Sequence, residues 1–443
     1  MKKSLIIKLI FIVMIIGLPI IIFLLRFNVS NANMDRYVVT DKNIFGEDAL
    51  IINGQEDQSE KLQKCIKKAS LDRKELFIPA GKYYINKSVN LTTSNISITG
   101  DKEDATILIN KDNAPDVILN GDNYVKNVEN IRIENLFFDG IQIIIRDKPN
   151  ITIENNIFYN SNGHYIVYVY CGNNTNINHN IFLRDAEHAV LNKEGARTIY
   201  VGGYAWGKVY KWAENVTIRD NLIGAKINEL DAIKSLLQNE NKMNVVKLQK
   251  MIKENKIKLK NEQNVITTGV NSYYSLKNAR IENNFIYLNY DDQEWNKNPI
   301  EHDHATYLRG SQNVYMSGNH IRGLHNGSSG GFKFKSGRDI VLVNNYIRNS
   351  GVELSIIAEY GLTETIEEGK TAQFTRILLA NNIFDFKAFD RSYGIGINME
   401  KHYSEKGPVT IDGNVFIDNK YINYLNVHPI NNHKREGIQL EKL

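Results

Sequence analysis

Two cysteines in 443 residues, Cys65 and Cys171, are too few for a disulfide framework or a multi-cysteine zinc cluster. They are expected to be two unrelated thiols. Only 7 prolines, beside 30 glycines, exclude a collagenous chain or an extended linker. Charge of one sign is also missing. With 54 Lys and Arg against 50 Asp and Glu the net charge is +4. A general nucleic-acid binder needs a strongly basic surface to displace counterions, so no nucleic-acid partner is expected and any basic patch must be local. What the chain does have is apolar content, 42 % of 443 residues. That is too much chain for one compact core of roughly 100–200 residues, which leaves several domains or one elongated repeat.

Lys2 and Lys3 precede an apolar run from Leu9 to Leu25. With Leu5, Ile6 and Ile7 the stretch approaches the ~20 residues that span a bilayer. The residues after it, Arg26 to Asp35, offer no clean small-x-small cleavage site. An uncleaved anchor, residues 1–33, is therefore preferred over a removed signal peptide that would leave the protein secreted. The positive-inside rule puts the lysines in the cytoplasm and the rest outside. Heavy use of Asn, Ile and Lys suggests an AT-rich bacterial genome, so the expected address is the outer face of a bacterial membrane.

A short phrase recurs along the chain: apolar, any, apolar, two mostly polar residues, Asn, then two mostly apolar residues. Its asparagines are Asn156, Asn180, Asn221, Asn284, Asn319, Asn345, Asn382 and Asn414. An earlier copy, IRIENLFF from Ile131, has its Asn one place early. Period-two alternation marks each phrase as a strand, and repeats of roughly 20 to 40 residues suit coils of a parallel β-helix. Coils stacked ~4.8 Å apart bring equivalent Asn amides together as a hydrogen-bonded ladder, a structural role rather than active-site chemistry.

Ahead of the repeats, Asp57 to Ala69 places Leu62, Cys65, Ile66 and Ala69 on one helical face, fit to cap the first open edge. Leu76 to Ile85 then turns at Pro79 and Gly81 into a strand. Asp57, Gln63, Ile78, Pro79, Ala80, Gly81, Tyr84, Ile98 and Gly100 together resemble the entry of the pectate-lyase-like superfamily. The resemblance spans roughly residues 40 to 420. It implies an all-β, right-handed parallel β-helix, a fold that carries many chemistries. The expected organisation is an anchor at 1–33, the β-helix at 34–425 and a tail at 426–443. Residues 226–262 break the pattern. Ile227, Leu230, Ile233 and Leu237 fit one helical face and Val245, Leu248 and Ile252 another, with a break at Asn239 to Asn241. This helical hairpin is either a solvated excursion or a lid or partner surface over the groove.

A second strand precedes most phrases. Counting five residues back from the phrase start aligns Arg146, Tyr170, Tyr274, Arg309 and Lys335. Alternation then sends Ile143, Ile145, Val167, Val169, Leu308, Phe332 and Phe334 inward, and Arg146, Tyr168, Tyr170, Tyr307, Arg309, Lys333 and Lys335 outward. Cations stacked on adjacent coils repel unless they share anions, so this strip suits an anionic polysaccharide. The plainer alternative is an ordinary wet surface. Neighbouring loops hold Asp185, Glu187 and His188, then Tyr200, Tyr204, Trp206, Tyr210 and Trp212, then Trp295, Glu301, His302, Asp303, His304 and His325. Aromatic faces there can stack on sugar rings. His164 and Tyr165 are expected only to pack. No HExxH spacing occurs, so no metal ligands are assigned.

A uronic-acid polymer offers a C5 proton next to a carboxylate. Arg309 would neutralise that carboxylate and Lys335 would act as base, its pKa lowered by Arg309 and Lys333. Tyr307, Tyr274 or His302 would protonate the leaving oxygen, or return a proton to the opposite face for C5 epimerisation. Arg146, Tyr168, Tyr170, His188, Trp206, Tyr274, Asp303, His304 and Lys333 are the expected substrate contacts. The stretch from Phe332 to Gly361 is similar to the alginate and chondroitin lyase branch, whose catalytic Lys-Ser falls on Lys335 and Ser336. That resemblance raises Ca2+ as a cofactor, but the branch's acidic calcium ligands correspond here to Phe and Lys. Its later catalytic Arg is not matched at Ala358 or Glu359. His302-Asp303 resembles the His-Asp of alginate epimerases without their full DPHD. A glycoside hydrolase would need paired carboxylates, such as Asp185 with Glu187 or Glu301 with Asp303, and the NTDG, GHG and RIK signatures of polygalacturonases are absent. A membrane-tethered module that binds polysaccharide without catalysis is the third reading.

Overall fold

The computed structural model describes residues 35–111, 118–121, 128–161, 165–184, 197–206, 209–225, 227–259, 268–272, 276–287, 304–322, 331–348, 351–355, 374–385, 395–398 and 409–417. They form stacked coils of parallel strands. In one coil Gln142–Arg146 lies on a first face, Ile151–Glu154 on a second and Ile157–Tyr159 on a third. Each pairs in parallel with its counterpart one coil on, Tyr165–Tyr170, Thr175–Asn178 and Ile181–Leu183. Thr306–Ser317 and Phe332–Val343 each run without a break across the first and second faces. This all-β stack of parallel sheets is consistent with the right-handed β-helix expected from the phrases.

The corners explain the phrase. The residue before each ladder Asn adopts a left-handed backbone, as at Asn155 (φ 57°), His179 (56°), Asp220 (54°), Asn283 (54°), Asn344 (57°) and Asn381 (54°). Asn and Asp tolerate this conformation best among non-glycine residues. The next residue then turns into the core, where Asn156, Asn180, Asn221, Asn284, Asn319 and Asn382 are 0 % exposed. Each ladder Nδ2 donates to the Oδ1 one coil on, from Asn156 to Asn180 (3.2 Å) through Asn382 to Asn414 (2.9 Å). The early copy is resolved by Leu136, whose backbone N donates to Asn156 Oδ1 at 3.1 Å. Leu136 occupies the ladder position and Asn135 the left-handed one (φ 58°).

The predicted inward residues Ile143, Ile145, Val167, Val169, Leu308, Phe332 and Phe334 all line the core at 0 % exposure. Phe138, Phe158 and Phe182 stack through it at 4.9 Å per step. Two short helices follow the opening strand Arg36–Val38. Helix α1 (Lys42–Phe45) precedes α2 (Ser59–Leu71), which buries Leu62, Cys65, Ile66 and Ala69 over the first strands. The superfamily's Asp and Gln are clamps for this cap. Asp57 Oδ1 accepts from Ser59 N and Asn86 N at 3.0 Å, and Gln63 Nε2 donates to Asn90 O at 2.6 Å. At Gly100 a Cβ would strike the backbone carbonyl of Asn135, so the I-x-G ending needs glycine. Both cysteines are free and buried. Burial, with help from Asp48 and Asp147 respectively, pushes each thiol up to about 12.

The hairpin consists of α3 (Leu230–Leu236) and α4 (Asn239–Lys253). It is neither a solvated excursion nor a lid. Leu230, Ile233, Leu237, Val245, Leu248 and Met251 pack in one cluster with Ile107, Phe137, Ile157, Ile181, Leu222 and Phe285, which lie on the outside of the third face. The expected break at Asn239 to Asn241 is corrected too: the helix gap falls at Leu237 and Gln238, and Asn241 is inside α4. Asn241 and Asn244 sit one turn apart and donate to Asp220 O and His179 O, the carbonyls of the left-handed corners. The expected membrane segment lies outside the described residues. Among the described residues no helix is long and apolar enough to cross a membrane.

Candidate functional site

The register of the first-face strands generates two columns. One passes through Ile144, Tyr168, Tyr200, Asn271, Tyr307, Lys333 and Glu353. The other passes through Arg146, Tyr170 and Gly202, and again through Arg309, Lys335 and Ser355. Arg309 and Lys335 are in register on adjacent coils, as alternation predicted. The expected continuous stripe is not formed, however. The strands Arg197–Gly202 and Thr268–Ser272 intervene, and a small antiparallel hairpin (Tyr204–Trp206 with Val209–Lys211) separates the first of them from its phrase, so phrase spacing does not reveal it. Arg146 and Arg309 are four rungs apart, roughly 19 Å at ~4.8 Å per rung.

Two clusters result. In the upper one Lys335 Nζ lies 5.4 Å from the centre of the Tyr307 ring, and the His304 ring stacks on Tyr307 at 5.4 Å. Tyr307 points outward but is only 4 % exposed, and His304 5 %, because these groups cover one another. Tyr307 is thus corrected from an exposed to a covered side chain. Lys333 Nζ pairs with Glu353 Oε2 at 3.0 Å. Glu353 neutralises one of the two cations expected to act on Lys335, leaving Arg309 as the nearer electrostatic neighbour in the register. Glu353 was not singled out in the sequence, although it follows Lys333 by one coil in the same phase.

In the lower cluster Tyr168 stacks on Tyr200 at 4.8 Å and lies 5.8 Å from Tyr170. Arg146 sits over Tyr170 at 5.2 Å and Tyr168 at 6.0 Å. Tyr165, expected only to pack, joins this group: its ring is 4.6 Å from Tyr168, and its hydroxyl accepts from Arg197 Nη1 at 2.8 Å. Together these side chains make a phenolic platform edged by two guanidinium groups. Such a surface can stack on the apolar faces of sugar rings and hydrogen-bond their edges.

His188, Tyr274, His302 and Asp303 lie outside the described residues, as do His164, Asp185, Glu187, Trp295, Glu301 and His325. Trp206 lies on a described strand, but its side chain is outside the described part. A calcium site does not fit the strand before Lys335. Phe332 and Phe334 are in the core and Lys333 holds Glu353. Among the described residues no group of three or more His, Cys, Asp or Glu side chains could hold a metal ion.

The profile of the family described as rhamnogalacturonase A/epimerase, pectate lyase-like, matches residues 47–285. No curated protein matches the sequence. Among solved structures, PfbA, a surface adhesin of Streptococcus pneumoniae, superposes with a TM-score of 0.55 at 13 % identity, covering 86 % of this chain and 90 % of that one. A second structure of PfbA gives 0.51 at 13 % identity, over 88 % and 99 %. The A-module of the mannuronan C-5 epimerase AlgE4 of Azotobacter vinelandii gives 0.40 at 12 % identity, over 88 % and 100 %. At these identities the likeness is one of fold alone.

Proposed function

The chain belongs to the rhamnogalacturonase A/epimerase, pectate lyase-like family, and from that premise we propose that it is a polysaccharide lyase or C5-epimerase acting on a uronic-acid polymer. The observation that carries the reading is the placement of Arg309 and Lys335 on adjacent rungs with Tyr307 beneath the lysine. Arg309 binds the uronate carboxylate and favours the negative charge that develops there. Lys335 acts as the base that takes the C5 proton, and the electron pair left on C5 delocalises into the carboxylate. In elimination that pair then forms the C4–C5 double bond as the C4–O bond breaks, with His302 protonating the departing oxygen. In epimerisation the same pair takes a proton on the opposite face of C5. No step needs a metal. Arg146, Tyr168, Tyr170 and Arg197 hold the polymer further along the groove by stacking and charge, and Lys333 with Glu353 keeps the Lys335 strand in place.

Incubating the full chain with a panel of anionic glycans tests this reading. New ultraviolet absorbance from an unsaturated uronate is the expected sign of elimination. Inverted C5 stereochemistry without cleavage is the sign of epimerisation. New reducing ends without absorbance would mean hydrolysis, and binding alone a non-catalytic module; either overturns the proposal. Lys335→Ala is expected to lower turnover by about 100-fold or more while leaving glycan affinity within a few-fold. Retained turnover with weakened affinity would demote Lys335 to a binding residue. The proposal extends to the address: residues 1–33 anchor the solenoid to the outer face of a bacterial membrane. Protease added to intact cells should then remove the β-helix, and full protection would reject that address.

A further inference from the structure

The second face carries a groove that the proposed reaction does not use. Strands Ile96–Gly100, Ile131–Glu134, Ile151–Glu154 and Thr175–Asn178 are stacked there, and their register aligns Ser97, Arg132, Thr152 and Asn176 in one outward column. Beside this column runs a second asparagine ladder at the corner between the first and second faces. Asn95, Asn130, Asn150 and Asn174 all hold a left-handed backbone, with φ of 60°, 61°, 59° and 55°. Their amides link coil to coil, Asn130 to Asn95 at 2.8 Å, Asn150 to Asn130 at 2.9 Å and Asn174 to Asn150 at 2.9 Å. A cavity of about 470 Å³ opens along these two columns and ends at Arg73, Lys74 and Glu75. Its volume lies in the range of ligand pockets, roughly 300–1,000 Å³.

The groove presents mostly apolar surface, edged by the neutral amides and hydroxyls of its two columns. Of the charges that line it, three are engaged, Lys74 with Asp35 at 2.6 Å, Arg132 with Glu134 at 2.5 Å, and Glu75 accepting from the Thr99 hydroxyl at 3.0 Å, and Arg73 is exposed at its end. Asn130, Asn150 and Asn174 each spend one N–H and one lone pair of Oδ1 on their neighbours, and Asn95 spends one lone pair. An amide has two of each, so one donor and one acceptor per coil are left for solvent or a ligand. They repeat every ~4.8 Å, close to the length of one pyranose unit in an extended, equatorially linked glycan. A row of sugar hydroxyls meets alternating donors and acceptors at its own repeat.

We propose that this second-face groove binds an extended, uncharged oligosaccharide, roughly one sugar per coil, as a holding site separate from the Arg309 and Lys335 cluster. The inference does not rest on the reaction proposed above. Isothermal titration of the full chain with cellohexaose tests it, with maltohexaose, a bent chain of the same hydroxyl content, beside it. Saturable binding of cellohexaose at least tenfold tighter than maltohexaose is expected. The double variant Thr152→Arg with Asn176→Arg, both outward and half-buried, should weaken it at least tenfold, and Lys335→Ala should leave it unchanged. Hydrogen exchange of the unmodified chain with and without cellohexaose reads the site without any substitution. Slowed exchange at 95–97, 130–132, 150–152 and 174–176 supports the groove. Absence of binding, equal affinity for the two sugars, undiminished binding in the folded double variant, or protection confined to the first face would each overturn it.

Discussion

An amide buried in an apolar stack is costly unless every donor and acceptor is met. Asn221 meets all four. Its Nδ2 donates to Ile177 O at 2.8 Å and to Asn284 Oδ1 at 2.9 Å, while its Oδ1 accepts from Asn180 N at 3.0 Å and Asn180 Nδ2 at 3.1 Å. Removing it strands buried groups on both neighbouring coils. Asn221→Ala is therefore expected to lower stability by about 2 kcal/mol or more, measured by denaturant unfolding. Asp in its place should be no better, because an ionised carboxylate cannot donate to Ile177 O. A change within about 0.5 kcal/mol, the range of surface substitutions, would show that the ladder does not hold the coils. The ladder on the opposite corner, Asn95 to Asn313, follows another rule. Its residues are exposed and are asparagine because the backbone there is left-handed, and the amide contacts along the ladder follow from that.

Hairpin and third face are matched as elements. Third-face strands such as Ile157–Tyr159 and Ile181–Leu183 are apolar on both sides, the pattern of a sheet covered twice. Past the hairpin the outward positions become polar: Phe285 is followed in register by His320 and then Tyr346. The Arg322 to Glu229 ion pair at 3.2 Å marks that edge. Docking also half-buries Lys247, which donates to Asp101 O at 2.5 Å. Burial lowers its pKa to about 8, against the smaller raising effect of Asp101 and Asp104 and with Lys250 adding to the lowering. Below about 8 the folded and unfolded states both hold the proton, and the cost of a buried ammonium is fully present. Between about 8 and the ordinary lysine value of roughly 10.4 the unfolded state binds more protons, so stability gains with pH. Thermal unfolding at pH 7.5 and 9.5, compared with Lys247→Met, should show a relative gain for the unaltered chain at the higher pH. No difference between the two would mean that Lys247 is solvated when docked.

At the scale of the whole molecule the solenoid works as a ruler. The phenolic platform begins two rungs from the Arg309 cluster, at Tyr200, and ends four rungs away, at Arg146, roughly 10 to 19 Å along one face, so only a substrate several sugars long spans the whole of it. If the proposed reaction is correct, kcat/KM should climb steeply with oligouronate length up to about five units and then level off, because remote binding energy supports the reacting centre. A flat dependence from the dimer upward would remove the platform from the reaction. The parallel stack, its capping helix and its buried asparagine column were all legible in the order of residues, because period-two alternation and a repeating corner are local properties. So was the phase that puts Arg309 over Lys335. Local pattern could not say that a strand without a clear phrase spacing, Arg197–Gly202, enters the first face and divides the basic strip. Nor could it say that Glu353 neutralises Lys333, that Tyr165 joins the platform, or that the helices cover the third face and leave the groove open. Those facts depend on which distant segments become neighbours, and loop lengths between coils set that freely, since a longer excursion costs little extra closure entropy.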